Sequence, residues 1–535
     1  MTNHIQIQTP SGPIVGFREG QNSVFKFLGI PYAETPLGTR RFQPPVPKAP
    51  WTEPFQALSF GHASAQVFDP KESKVEEFQD GPVTSEPVFV GSEDSLTLNV
   101  VTPACDTRRR PVVIYIHGGA NWLEASRVSL YHPDPLVARG DLVAVTFNYR
   151  LGIFGALDLS TLGDDAPKGA HAHCVQDQLC AIDWVRRNIA PFGGDPDNIT
   201  LVGESAGSMD ISWMIATGAL KGRVKRLVMM SGVGSVSGFG HDHTRSAHYL
   251  DEGRTRAHKF LSELGVTTFG ELQALSTESL LTRCAEVARR SDILFEMDTL
   301  FYPRVDPSFC DRDPFAAAHT GAADEFDILI GFTSYEMGLW LTWDDNLDRR
   351  SAAWAIDACP FIPAHVRDDM ITLYKKEFAH ESDGVRGMHV LGDAMFGAPS
   401  LIFANSVSQR HDRCWMYRFD YPCNDPRRRA LHASDVIFFL GTWNAPSGQA
   451  LMGKPQSEKE RAEREALSGV MQDVLIAFAR TGNPATKGTP DWKPFSPSQR
   501  EYIRFDTTCQ VAVDPLGGRT DFWLKSIAEP ALNDE

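Results

Sequence analysis

Short apolar runs of buried-strand length, separated by helix-compatible sequence, set the strongest limit on how this chain can fold. "PVVIYIHGG" (111–119) and "DLVAVTFNYR" (141–150) are rich in Val and Ile, as strands buried on both faces are. "QDQLCAIDWVRRNIAPFGG" (176–194) then sets Leu179, Ile182, Val185 and Ile189 at helical spacing before "FGG" stops it. "NITLV" (198–202) and "VKRLVMMSG" (224–232) read as the next strands, and "FDILIGFT" (326–333) and "CWMYRFDYP" (414–422) as later ones. Strand, helix, strand in this rhythm predicts an α/β fold with right-handed crossovers, a mainly parallel central sheet and flanking helices. The N-terminal "MTNHIQIQTPSGPIVGF" alternates instead, like an edge strand.

Two helical portions interrupt the pattern. Residues 241–320 read as a polar, helical insertion covering the sheet, with "TRAHKFLSELG" and "STESLLTRCAEVARR" as its amphipathic segments, and a second helical portion spans roughly 345–410. Pro/Gly-rich loops are spread along the chain and none marks a linker, so residues 1–535 read as one domain.

Composition excludes several classes of function. The net charge of −16 lacks the basic footprint that a phosphate backbone demands, so no nucleic-acid partner is expected. No apolar run approaches the roughly 18 residues of a membrane span. The N-terminus has no basic segment leading into an apolar one, so a cytoplasmic chain is expected. Nine scattered cysteines without a CxxC pair read as reduced, half-buried small hydrophobes rather than a disulfide framework or zinc site.

The chemistry centres on "NITLVGESAGSMD" (198–210). Gly203-Glu204-Ser205-Ala206-Gly207 fits G-x-S-x-G between a strand and helix-compatible sequence, the setting in which a serine is thrust out of a sharp turn. A bulky residue at 203 or 207 would clash there. A hydroxyl so placed sits at a helix N-terminus, where N–H groups stabilise developing negative charge. The simpler alternative is a Gly/Ser-rich helix cap. Upstream, His117-Gly118-Gly119-Ala120 ends a buried strand in small residues whose N–H groups could hold an oxyanion, or could form a plain turn.

These motifs, with further blocks in the same order, resemble the type-B carboxylesterase and cholinesterase family of the α/β-hydrolase fold. The blocks are "FLGIPYAETPLGTRRFQPP" (27–45), "SEDSLTLNV" (92–100), "NYRLGIFGAL" (148–157), the stretch 176–207 and "LHASDVIFFLG" (431–441). The resemblance implies a serine carboxylesterase acting on small-molecule esters without metal or organic cofactor. It implies Ser205 as nucleophile, Glu336 of "GFTSYEMG" as acid and His432 of "HASDVIFF" as base, followed by Asp435. Gly119, Ala120 and Ala206 are the implied oxyanion donors, although Ala120 stands where the family has a third glycine. The same apparatus would hydrolyse carbamates, thioesters or activated amides. Non-catalytic adhesion proteins of the family lose triad residues, and here all three are present.

Departures from the family pattern add detail. Ser95 replaces the disulfide cysteine of secreted members, which again suggests a cytoplasmic chain. Asn121 stands where an aromatic residue is common, and would make the pocket beside the oxyanion hole more polar. Asp210 stands where serine is common and reads as a paired structural acid, or else as a specificity feature near the active-site floor. Gly118, Asn121, Trp122, Glu204 and Trp213 are candidate pocket residues, with Phe332 and Trp340 as further aromatic ones. "HAHC" (His171, His173, Cys174) and "HDH" (His241, Asp242, His243) read as polar loop residues, and no metal site is expected. The run Arg427-Arg428-Arg429 reads as a solvated loop, or else as a positive field that draws anionic esters towards His432.

Overall fold

A computed structural model describes residues 2–20, 24–68, 88–234, 254–288, 300–359 and 362–528. The chain divides into two compact units. The first comprises Met1–Gly207, Ala219–Lys225 and Ala247–Asp311; the second comprises Ser208–Gly218, Arg226–Ser246 and Arg312–Glu535.

The first unit contains β1 (Thr2–Thr9), β2 (Gly12–Glu19), β3 (Phe25–Pro31), β4 (Phe55–Gln56), β5 (Gln66–Phe68), β6 (Val88–Val90), β7 (Thr97–Thr102), β8 (Arg110–Ile116), β9 (Val143–Phe147) and β10 (Gly194–Glu204). They run β1-β2-β3-β7-β9-β8-β10, with β4 beside β2 and β5–β6 as a separate ribbon. β1 lies at the edge, as its alternation suggests. From β1 to β9 every step is antiparallel, whereas β9, β8 and β10 are parallel. Antiparallel pairing in the first unit is thus gathered at the N-terminal side, around the expected edge strand. β1 and β2 are joined by the two residues Pro10 and Ser11, and so short a link permits only an antiparallel hairpin.

The parallel strands lack polar alternation because both faces are covered. β9 is buried at all its positions. The helix His173–Asn188 bridges β9 and β10, burying Ile182 and Val185. Its Asp177 forms a buried, two-pronged ion pair with Arg150, at 2.7 Å to both Nε and Nη2. A charge pair so deep persists because each group satisfies the other. Ser95 Oγ lies 2.9 Å from Ser64 Oγ, so a hydroxyl pair occupies the place of the family's cysteine.

The second unit contains β11 (Arg226–Met230), β12 (Asp327–Thr333), β13 (Cys414–Phe419) and β14 (Glu501–Phe505), all parallel, and β15 (Gln510–Val513), antiparallel to β14. β11 is buried along its whole length.

Within 241–320 the described segments include helices at 254–263, Phe269–Ala274, Thr277–Ala288 and Pro314–His319. Thr268 and Glu271 form a reciprocal capping box that starts the second of these. Residues 241–243 lie outside the described residues. Within 345–410, helices Asp383–Gly392 and Ala398–Ser408 are joined without a break by a π-turn, Asp393–Gly397.

That continuous rod, Asp383–Ser408, is long and apolar enough by length and composition to cross a membrane, although no uninterrupted apolar run in it is that long. Asp383, Arg386 and Asp393 interrupt the apolar run in sequence, which hid the rod's length. Its most apolar window is 94% buried within the protein, as befits a core helix.

Two expectations change. Seven cysteines are buried and only Cys105 and Cys509 half-buried, and all nine are free thiols. His171 and His173 are not loop residues in water but are buried, with His173 opening a helix. Desolvation lowers both imidazole pKa values, His171 to about 4. Among the described residues no three His, Cys, Asp or Glu side chains are grouped to hold a metal.

Candidate active site

Ser205 is the single residue between the end of β10 and the helix Ala206–Ala216. Its φ is +54°, in the left-handed region, which costs a non-glycine residue on the order of 1–3 kcal/mol. Close packing enforces the turn. A Cβ on Gly207 would fall 2.5 Å from the Ile116 carbonyl oxygen, and one on Gly118 would fall 2.5 Å from Glu204 Oε2. The helix is buried at every position from 206 to 216, mostly with apolar residues but including Ser208, Asp210 and Ser212. Ala206, at its first position, has an N–H with no place in the helical ladder.

The loop after β8 is shaped by three successive left-handed residues: Gly119 (φ +91°), Ala120 (+55°) and Asn121 (+53°). The N–H groups of Trp122 and Leu123 close it onto the Gly119 carbonyl at 2.9 and 2.8 Å. Successive amides in such a turn make a concave set of donors. His117 anchors the loop. Its ring stacks on Tyr149 at 4.5 Å, the Tyr149 hydroxyl donates to its carbonyl at 2.8 Å, and burial lowers its pKa to about 4. The imidazole is therefore neutral at pH 7, with Nδ1 2.9 Å from the Gly118 carbonyl.

The pocket candidates divide. Asn121 is buried, and its carbonyl accepts from Gly152 N at 2.6 Å. Trp122 stacks on Phe301 at 4.9 Å, within the first unit. Glu204 and Asp210 are buried. Trp213 is buried as well, and its Nε1 donates to the Gly234 carbonyl at 3.1 Å.

In the second unit, Glu336 and His432 are brought together. Glu336 opens a 3-10 turn (Glu336–Thr342) three residues beyond the end of β12. Its Oε2 lies 2.5 Å from His432 Nδ1, while Oε1 accepts from Thr333 N at 2.7 Å and Ser231 Oγ at 2.8 Å. Both oxygens of a buried carboxylate are thereby satisfied. The imidazole is flanked by Phe396 at 4.4 Å and Trp340 at 5.1 Å. Phe332, at the end of β12, is buried.

Ser231 and Phe396 were not expected at the site. In the run "VKRLVMMSG" that serine directly follows the apolar strand residues, and its polarity there was the available signal. Phe396 had none, because it sits on the π-turn, whose extra residue per turn shifts the helical phase.

Asp435 does not take the place of Glu336. It accepts from the Tyr417 hydroxyl at 2.6 Å. Burial raises its pKa to about 6, outweighing that hydrogen bond, which acts to lower it. A carboxyl whose folded pKa lies above its unfolded one binds its proton more tightly when folded. Stability therefore falls as pH rises from about 4, the usual Asp value, to 6, and the cost stays at higher pH. Asp435→Asn is expected to raise Tm at pH 8 and to leave it nearly unchanged at pH 4. An equal shift at both values in calorimetry would refute the burial argument.

The arginine run is largely neutralised. Arg427 pairs with Asp345 at 2.7 Å and Asp348 at 3.0 Å. Arg429 forks onto Glu381 at 2.9 and 3.0 Å, and its guanidinium lies 4.7 Å from the Tyr335 ring centroid. Little uncompensated field remains to draw anions. Esters with and without a free carboxylate should accordingly show the same ionic-strength dependence of kcat/KM. Replacing all three arginines with glutamine should leave that equality in place, and a selective low-salt advantage for the anionic ester in wild type would contradict it.

The model of the carboxylesterase family matches residues 3–523. A para-nitrobenzyl esterase of Bacillus subtilis (strain 168) is 32% identical over 520 residues, covering 96% of this chain and 97% of that protein. Human carboxylesterase 5A is 29% identical over 524 residues, covering 94% of this chain and 85% of that one. A solved carboxylesterase of Geobacillus stearothermophilus superposes with a TM-score of 0.80 at 28% identity, covering 97% of this chain and 99% of that one.

Proposed function

This chain belongs to the carboxylesterase family, with the α/β-hydrolase fold, and we propose that it cleaves carboxylic esters through an acyl-enzyme on Ser205, with His432 as general base and Glu336 as the orienting acid. The observation that carries the assignment is the 2.5 Å contact between Glu336 and His432 Nδ1. With Nδ1–H donating a hydrogen bond to the Glu336 carboxylate, Nε2 is the basic nitrogen of the neutral ring. It takes the Ser205 proton as the hydroxyl oxygen attacks the ester carbonyl. The carboxylate then stabilises the imidazolium that forms.

The N–H groups of Gly119, Ala120 and Ala206 hold the oxyanion. Collapse of the tetrahedral adduct expels the alcohol, which leaves with the proton from His432. Water, deprotonated by the same imidazole, then attacks the acyl-enzyme and frees Ser205. The left-handed turns at Ala120 and Ser205 support this reading, since strained backbone of this kind persists where it holds reacting groups in place.

A panel of p-nitrophenyl esters of increasing acyl length, with p-nitrobenzyl esters beside them, tests the proposal. Turnover of at least one series without added cofactor is expected. A folded protein that hydrolyses none of them would overturn it.

A further inference from the structure

Beside Glu336, residues of the second unit line a small polar cavity. Thr333, Glu336, His389, Gly392, Asp393 and Arg519 are among its lining residues. It offers about 20 Å³ to the centre of a water molecule, enough for one water and too little for an organic ligand. Two atoms carried by lining residues, Thr333 Oγ1 and His389 Nε2, are sealed from bulk solvent and have no hydrogen-bond partner within the protein. A buried hydroxyl and a buried imidazole nitrogen are both costly to leave unpaired.

The surroundings fix these two groups. His389 lies face to face with Phe378 at 3.7 Å and meets the Tyr335 ring at 5.0 Å. Arg519 caps Phe378 and Arg429 caps Tyr335, each with its guanidinium 4.7 Å from the ring centroid. Burial, with Arg519, Arg429 and Arg418 nearby, keeps the His389 imidazole neutral. The cavity's charged groups are already engaged. Arg519 Nε donates to Asp393 Oδ2 at 2.6 Å, and Arg418 holds Asp420 through two bonds of 2.7 Å. An added ion therefore has little to bind, whereas a neutral water can donate to one orphan atom and accept from the other.

We propose that this cavity holds one ordered water bridging Thr333 Oγ1 and His389 Nε2, and that Thr333 and His389 are positioning residues for Glu336. The link to the reaction is short. Thr333 donates its backbone N–H to Glu336 Oε1, so the bridge that pins the Thr333 side chain also pins the amide that aims the carboxylate. This inference rests on the assignment of Glu336 as the acid.

The test has a structural arm and a kinetic arm. A crystal structure of the wild-type protein, at a resolution that shows waters, should have a density peak within hydrogen-bond reach of both atoms. An empty cavity would overturn the proposal whatever the kinetics. Thr333→Val, which removes the hydroxyl and keeps the shape, should lower kcat about 3- to 10-fold with KM unchanged, the rate equivalent of one lost hydrogen bond. Thr333→Ser should restore kcat, and His389→Phe, which keeps the stacked ring, should behave like Thr333→Val. Unchanged kcat in Thr333→Val, or a loss that serine does not restore, would equally overturn it. If Glu336→Ala failed to slow turnover, the acid assignment would fall by itself, with the density result unaffected.

Discussion

Ser205→Ala is expected to abolish ester turnover, with kcat falling by on the order of 10⁴- to 10⁶-fold, as when a triad nucleophile is removed elsewhere. The fold should survive, because alanine occupies the same left-handed position at the same backbone cost. Ser205→Gly should lose activity equally yet gain Tm over the alanine variant, since glycine is unstrained at φ +54°. That difference separates loss of the hydroxyl from damage to the turn. A serine-directed organophosphate should add its mass to the peptide carrying Ser205. Burst kinetics in the folded alanine variant, or labelling at another serine, would reject the assignment.

The second large effect concerns the base and its acid. His432→Ala should be nearly as damaging as loss of the nucleophile. Glu336→Ala should be milder, about 10³- to 10⁴-fold, because the acid orients and stabilises rather than transferring the proton. Either change made on top of Ser205→Ala should cost little more, since the three groups act as a unit. The pH profile of kcat/KM should rise through an apparent pKa of about 6 to 7 as the imidazole loses its proton. Asp435 supplies the control, because its carboxylate is committed to Tyr417 rather than to His432 Nδ1. Were Asp435→Asn to abolish turnover while Glu336→Ala stayed within a few-fold of wild type, the acid would have been misassigned.

What could be read from sequence was what depends on neighbours in the chain. The strands β8 to β13 declare themselves because burial on both faces demands unbroken apolar runs. Ser205 is legible because an elbow needs small residues within two positions of the serine, and Gly203 and Gly207 supply them. Features set by distant partners were hidden. Arg427 finds Asp345 and Asp348 about eighty positions away, so a run of like charge gave no sign of its neutralisation. His171 and His173 look polar in a local window, yet the fold packs over them. The π-turn at Asp393–Gly397 conceals both the length of its helix and the approach of Phe396 to the imidazole, because one added residue breaks the period on which such readings rest.

The ion pairs of Arg427 and Arg429 have a consequence beyond their charge. Residues 423–435, which carry His432, contain no regular helix or strand. They are nevertheless lashed down at several points. Arg427 reaches the 345–348 turn, Arg429 reaches Glu381, and Cys423 N donates to the Arg429 carbonyl at 2.8 Å. Irregular backbone is ordinarily the first part of a protein to open, and a base carried on it would have to be gathered into place at each turnover. For the general base proposed at His432, such mooring would present the imidazole already aimed, leaving substrate binding energy for the reacting bond rather than for ordering the loop.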